Sequence, residues 1–131
     1  MPREAISTQS APPPVAHYSQ GCRAGDIIAV AGQVGIDPAT GAIVGEVGAQ
    51  TEQAFRNLQA ILAAGGASLD DVIRVDAYLT DLRDLARFNQ AYARWFKSPP
   101  PARSTVFVGL SPGLKVEITV LAVLPDGLPL K

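Results

Sequence analysis

Between Ala49 and Ala64 the apolar residues Ala54, Phe55, Leu58, Ile61 and Leu62 recur at helical spacing, and Gly65-Gly66 follows where a helix can end in the left-handed region. This predicts a first helix. Ser68-Leu69-Asp70-Asp71 has the form of an N-cap with a single turn, after which Val75, Ala77 and Leu79 alternate with Arg74, Asp76 and Tyr78 as in a strand over 72–79. Thr80-Asp81 can cap a second helix carrying Leu85, Phe88, Tyr92 and Trp95 on one stripe, which Pro99-Pro100-Pro101 terminates. Two more strands are expected over 102–108 and 115–124, separated by the loop Gly109-Leu110-Ser111-Pro112-Gly113-Leu114. Nearer the start, Ile27-Ile28-Ala29-Val30-Ala31 is a short apolar run that suits a strand covered on both faces, and Asp37-Pro38-Ala39-Thr40-Gly41 supplies the turn of an expected hairpin.

The segment through Ala11-Pro12-Pro13-Pro14 cannot join a central strand, because proline has no amide proton, so residues 1–14 are expected to be an extended lead-in with order beginning near Val15. Residues 125–131 extend past the final strand as a tail, and 1–131 reads as a single domain. Strands, then strand and helix alternating, then strands again give an α+β fold: one mixed sheet with two helices on a single face. The last strand is apolar on both sides, with Leu121 and Val123 opposite Val120, Ala122 and Leu124, so the uncovered face is expected to meet other copies of the chain in a closed homo-oligomer.

Charge narrows the partners. The 131 residues carry 11 basic and 12 acidic side chains, which leaves no electrostatic footprint for nucleic acid or for an anionic membrane surface. A lone cysteine, Cys22, and a lone histidine, His17, exclude an intrachain disulfide and argue against a metal site. Residues 1–9 lack the apolar stretch of a signal peptide, and no apolar run approaches the roughly 20 residues that span a bilayer, so a cytoplasmic location is expected.

No nucleophile elbow, phosphate loop or metal motif is present. What stands out is a set of polar residues where strands should be buried: Tyr18, Gln33, Arg103, Thr105 and Glu117. The planar guanidinium of Arg103 suits bidentate capture of a carboxylate, or else a structural ion pair. Glu117 suits a general base toward water, or else a solvent-facing position on an alternating strand. The two can share a site only if the last two strands pair in a register that puts them on one face, and the loop between those strands does not fix that register. Asn89, one position beyond the second helix's stripe, is a ligand donor or faces water; Tyr18 offers a phenol to a substrate oxygen or packs its ring; His17 reads as a surface or turn residue.

The order of segments is more telling than any one of them: His17-Tyr18-Ser19-Gln20, Ala31-Gly32-Gln33, Ile36-Asp37-Pro38-Ala39-Thr40-Gly41, Tyr78-Leu79-Thr80-Asp81-Leu82, Phe88-Asn89, Pro101-Ala102-Arg103-Ser104-Thr105-Val106 and Val116-Glu117-Ile118. Together these resemble the reactive intermediate deaminase family, RidA or YjgF, from about Ser10 to Leu124. The resemblance implies a chorismate-mutase-like homotrimer with clefts between subunits, no cofactor, and hydrolysis of 2-imino acids such as 2-iminopropanoate or 2-iminobutanoate, derived from enamines such as 2-aminoacrylate, to 2-keto acids and ammonia. Carried over by position, Arg103 would anchor the substrate carboxylate and Glu117 would polarise the attacking water. Tyr18 and Asn89 would line the pocket, with Ala31, Gly32 and Thr105 around them.

This chain departs from the family pattern in places. Ala31 stands where many members have serine, His17 where proline is common, Thr105 where some carry cysteine, and the loop before Lys115 looks short. Two rival functions share the same residues: a non-catalytic trimer that binds a keto acid and reports its level, and an endoribonuclease, which the near-neutral charge disfavours.

Overall fold

Glu46, rather than a residue nearer Ala49, starts the first helix, α1 (Val47–Ala64), by accepting the amide N–H groups of Gly48 and Ala49. Burial pushes the Glu46 carboxyl up, yet those N–H groups and the Arg87 guanidinium hold it below its ordinary value. At the other end Gly66 takes a φ of 87°, and the Ala67 amide donates back to Leu62. The computed structural model describes residues 2–125; the expected tail lies outside these from residue 126 onward.

The strands are β1 (Glu4–Ile6), β2 (Gly21–Ala24), β3 (Ile27–Val34), β4 (Val72–Leu79), β5 (Ala102–Phe107) and β6 (Val116–Val123). They form one six-stranded sheet in the order β1-β2-β3-β6-β4-β5. Among the described residues only β4 and β5 are parallel neighbours, so the sheet is mixed. Helix α1 carries the chain from β3 to β4, and α2 (Leu85–Tyr92) from β4 to β5. Both helices pack on the same face, where Phe55, Leu58, Ile61, Leu62 and Phe88 close over Ile28, Val75, Leu79, Ile118 and Ala122 in one core.

Several expectations are corrected. The lead-in contains a strand: β1 pairs with β2, and Gln20, 3% exposed, clasps the segment behind it by bonding Thr8, Ala11 and Pro12 carbonyls. Order therefore begins before Val15, because a buried carboxamide satisfies carbonyls that proline leaves without a strand partner. The turn around Asp37–Gly41 closes a single bridge, Ile36 to Ile43, and no hairpin follows. Strand β3 is covered on one face only; Ile28 and Val30 are buried while Ile27 is 52% exposed. The last two strands do not form a hairpin either, since β4 lies between them: β6, with a buried residue at every second position, takes the centre of the sheet and leaves β5 at its edge.

Two neighbours of β6 each carry an extra residue. Val30 and Gln33 face Val120 and Ile118, so Ala31 and Gly32 together oppose Thr119; on the other side Ile73 is inserted between Val72, facing Ala122, and Arg74, facing Leu121.

Candidate functional site

The parallel pairing of β4 and β5 sets Arg103 beside Val75 and Thr105 beside Ala77, on the face that the helices cover. Because β5 is the edge strand, the Arg103 side chain reaches past the core to the flank of α2. There one guanidinium nitrogen donates to Asn89 Oδ1 at 2.8 Å. The guanidinium carbon lies 4.6 Å from the Tyr92 ring centroid and 5.3 Å from that of Phe88. Such cation–π contacts stabilise by about 0.5–2 kcal/mol each. Among the described residues no carboxylate is within ion-pair distance of Arg103, so its charge meets ring faces and neutral oxygens. The alternative reading of Arg103, a structural ion pair, is not formed among the described residues.

Glu117 lies on the other side of the sheet. It pairs laterally with Val34 and Tyr78, and the next residue, Ile118, is fully buried beneath the helices. A Cβ placed on Gly32 would come within 2.7 Å of the Glu117 Cδ, so the bulge in β3 gives the carboxylate room that no other residue type would leave. The carbonyl of Ala31 accepts the Gln33 amide, and its N–H donates to the Gln20 carbonyl at 2.9 Å, fixing the bulge from two directions. Tyr18 is 48% exposed; its hydroxyl accepts the Val15 N–H at 3.3 Å. It shares a cleft of about 490 Å³ with Arg3, His17, Ser19 and Cys22. Cys22, in the row of Ala29 and Leu121, belongs to the open face, as Glu117 does.

The residues singled out from sequence thus fall into two groups. Arg103, Thr105 and Asn89 gather at the helix-covered edge; Gly32, Ala31 and Glu117, with Tyr18 on the same side, belong to the open face. One chain does not bring the groups together: the expected direct pairing of the last two strands with Arg103 and Glu117 on one face is replaced by β4 between them and the two residues on opposite faces, so only a second copy could join them. Sequence reasoning placed Phe88 and Tyr92 in the core stripe and missed that the same rings are the floor under Arg103. The signal was their spacing around Asn89, which puts all three within one turn and a quarter of helix.

Behind the open-face group stand two polar supports from α1. Gln50 donates to the Gly45 and Gly113 carbonyls and accepts the Lys115 N–H at 2.8 Å, tying down the entry to β6 two residues before Glu117. Asn57 donates to the Val34 and Ile36 carbonyls at the exit of β3. Among the described residues no cluster of three or more His, Cys, Asp or Glu could hold a metal ion, and no helix is long and apolar enough to cross a membrane.

The family model described as Endoribonuclease L-PSP matches residues 8–124. A RutC family protein of Saccharolobus solfataricus is 44% identical over 92% of this chain and 97% of its own length. The chloroplastic Reactive Intermediate Deaminase A of Arabidopsis thaliana is 40% identical over 93% of this chain and 66% of its own. Among solved structures, RidA from an Antarctic Psychrobacter superposes with a TM-score of 0.89 at 38% identity, covering 92% of this chain and 99% of that one. Escherichia coli TdcF with bound serine gives 0.89 at 35%, covering 93% and 99%. With the fold matched along nearly its whole length and the sequence with it, the chain belongs to the RidA (YjgF) family, the one the Endoribonuclease L-PSP model describes.

Proposed function

We propose that this protein is a 2-imino acid deaminase whose site forms where two copies of the chain meet. The observation that carries the reading is the state of Arg103: a guanidinium held over two aromatic rings, with one amide partner and, among the described residues, no carboxylate, is poised for a bidentate anion from outside the chain. Arg103 and Glu117 cannot converge within one protomer, so the reading requires the open sheet face of one copy to approach the β5 edge of another. That open face supports the requirement, since Ile27 and Ile73 are each 52% exposed and Val106 44% exposed, beside Ala29, Leu121 and Val123. A closed ring of three would repeat the contact and generate equivalent sites.

In such a site Arg103 holds the substrate carboxylate and thereby places the C=N carbon before a water on Glu117. The water oxygen bonds to that carbon while its proton passes to the Glu117 carboxylate. Glu117 returns the proton to the nitrogen of the carbinolamine; the C–N bond then breaks, the hydroxyl proton leaves with the ammonia, and a 2-keto acid remains. Imines of this kind hydrolyse unaided, so orientation and general acid-base help of about 10²-fold to 10⁴-fold is sufficient.

A second reading, ligand binding without turnover, is favoured by the TdcF structure with bound serine, a small amino acid held by a relative. Purified protein supplied with 2-aminoacrylate generated in situ separates the two. Pyruvate forming faster than in buffer supports the deaminase; keto-acid binding with no such acceleration leaves a binding protein.

A further inference from the structure

The hydroxyl of Tyr92 is an anomaly. The residue is 8% exposed, and among the described residues its buried oxygen has no hydrogen bond of good geometry, only a loose approach from the Arg103 guanidinium. An unpaired hydroxyl in a protein interior is costly and is usually met by some group of the protein or a ligand. Burial pushes the phenol pKa up, opposed by the Arg103 charge and by the loose hydrogen bond from its guanidinium, so the group is a neutral phenol at physiological pH. Its ring cannot turn away, because Phe55, Phe88 and Phe96 surround it at centroid distances of 5.6, 5.5 and 5.2 Å. Among the described residues the group placed to meet it is Arg103, whose guanidinium lies over the ring and donates to Asn89, an exposed side chain.

We propose that Tyr92 is a positioning residue for Arg103: its ring fixes the plane of the guanidinium, and its hydroxyl accepts a guanidinium N–H when Asn89 is drawn away to the ligand. Arg103 then exchanges one acceptor for another without leaving the ring face, and its remaining donors stay directed at the carboxylate. The inference rests on the carboxylate-holding role proposed for Arg103. It adds a reason for an otherwise wasteful buried oxygen: that oxygen is reserved for the ligand-bound state.

The test compares the parent with Tyr92→Phe and Tyr92→Leu, reading pyruvate affinity by calorimetry, KM and kcat for imine hydrolysis, and thermal midpoint. Tyr92→Phe removes the orphan oxygen and keeps the platform. It should melt no lower than the parent, weaken pyruvate binding about 3-fold to 10-fold, and raise KM similarly with kcat near the parent's. Tyr92→Leu should lose about tenfold more affinity as the guanidinium loses its floor. In an Asn89→Ala background the hydroxyl is the remaining acceptor, so Tyr92→Phe should cost more there than alone. Unchanged affinity and KM in Tyr92→Phe would overturn the proposal, as would a lowered melting point with binding intact, which is the signature of a packing role only. A parent that binds pyruvate but hydrolyses no imine sinks the deaminase reading and leaves this inference standing. A parent that binds no pyruvate overturns both.

Discussion

Arg103 and Glu117 project from opposite faces of one sheet, with β4 between their strands. If they nevertheless act on one molecule, each must come from a different copy. Arg103→Ala and Glu117→Gln should each abolish or nearly abolish turnover when assayed alone. When the two inactive variants are unfolded together and refolded, about one quarter of randomly assembled interfaces would pair an intact Arg103 with an intact Glu117. Activity should return to that order in the mixture. Mixed protein as inactive as its parts would rule out a shared site.

Gly32→Ala puts a methyl group against the Glu117 carboxylate. The obstruction is the end of a flexible side chain, so the carboxylate rotates away and the fold survives. The expected result is a loss of kcat of about 10-fold to 100-fold with a thermal midpoint close to the parent's, measured on the same preparation.

The open face can be tested by charge. Ile27→Glu with Ile73→Glu leaves a single chain's core untouched, since both side chains are half exposed in it. In an assembly that covers them, two uncompensated carboxylates become buried, at a cost of several kcal/mol each. Sedimentation velocity should report a monomer for the double variant. A sedimentation coefficient unchanged from the parent's would place the interface elsewhere.

Gln50 is 1% exposed and makes three bonds to backbone groups of segments far apart in sequence. Gln50→Ala removes the partner of the Gly45 and Gly113 carbonyls and of the Lys115 N–H, three part-buried bonds, and leaves a void where a buried side chain stood. A destabilisation of about 2–4 kcal/mol is expected from chemical denaturation. Gln50→Glu should also destabilise, because a carboxylate cannot donate to the two carbonyls.

Asp81 caps the turn leading into α2 and is paired with Arg83, whose hydrogen bonds bring the carboxyl down from 3.8 to about 2. A depressed carboxylate pKa contributes stability above its unfolded value and loses it as pH falls through the folded one. The difference in thermal midpoint between the parent and Asp81→Asn should therefore hold steady at neutral pH, narrow between pH 3.8 and about 2, and vanish below. Because the pair is exposed to solvent, added salt should shrink the difference.

Both helices and β4 could be read from periodicity because each buries one face against the same core, and burial is what periodicity records. Strands β1 and β2 could not: three and four residues are too few to show alternation, although Gly25-Asp26, with Gly25 at a φ of 58°, is the two-residue turn that joins β2 to β3. The place of β6 was hidden for a different reason. Its loop from β5 resembles a hairpin connection, and only pairing with β3 and β4, distant in sequence, draws it to the centre. Arg103, Glu117, Asn89 and Tyr18 were recognisable as residues, but their division between two faces follows from that insertion. The floor of rings under Arg103 was concealed because Phe88 and Tyr92 serve the core as well.

The inserted residues in β3 and β4 act as phase shifters. Before them even-numbered side chains, Ile28, Val30 and Val72, point to the helices; after them odd-numbered ones do, Gln33, Val75 and Ala77, while β6 keeps a single phase throughout. Deleting one residue near Gly32 would invert Gln33 and Val34 and turn a carboxamide toward water in exchange for a valine. The chain can therefore drift in composition at these positions more readily than in length, and an insertion or deletion there is an architectural change even where the residues gained or lost are small.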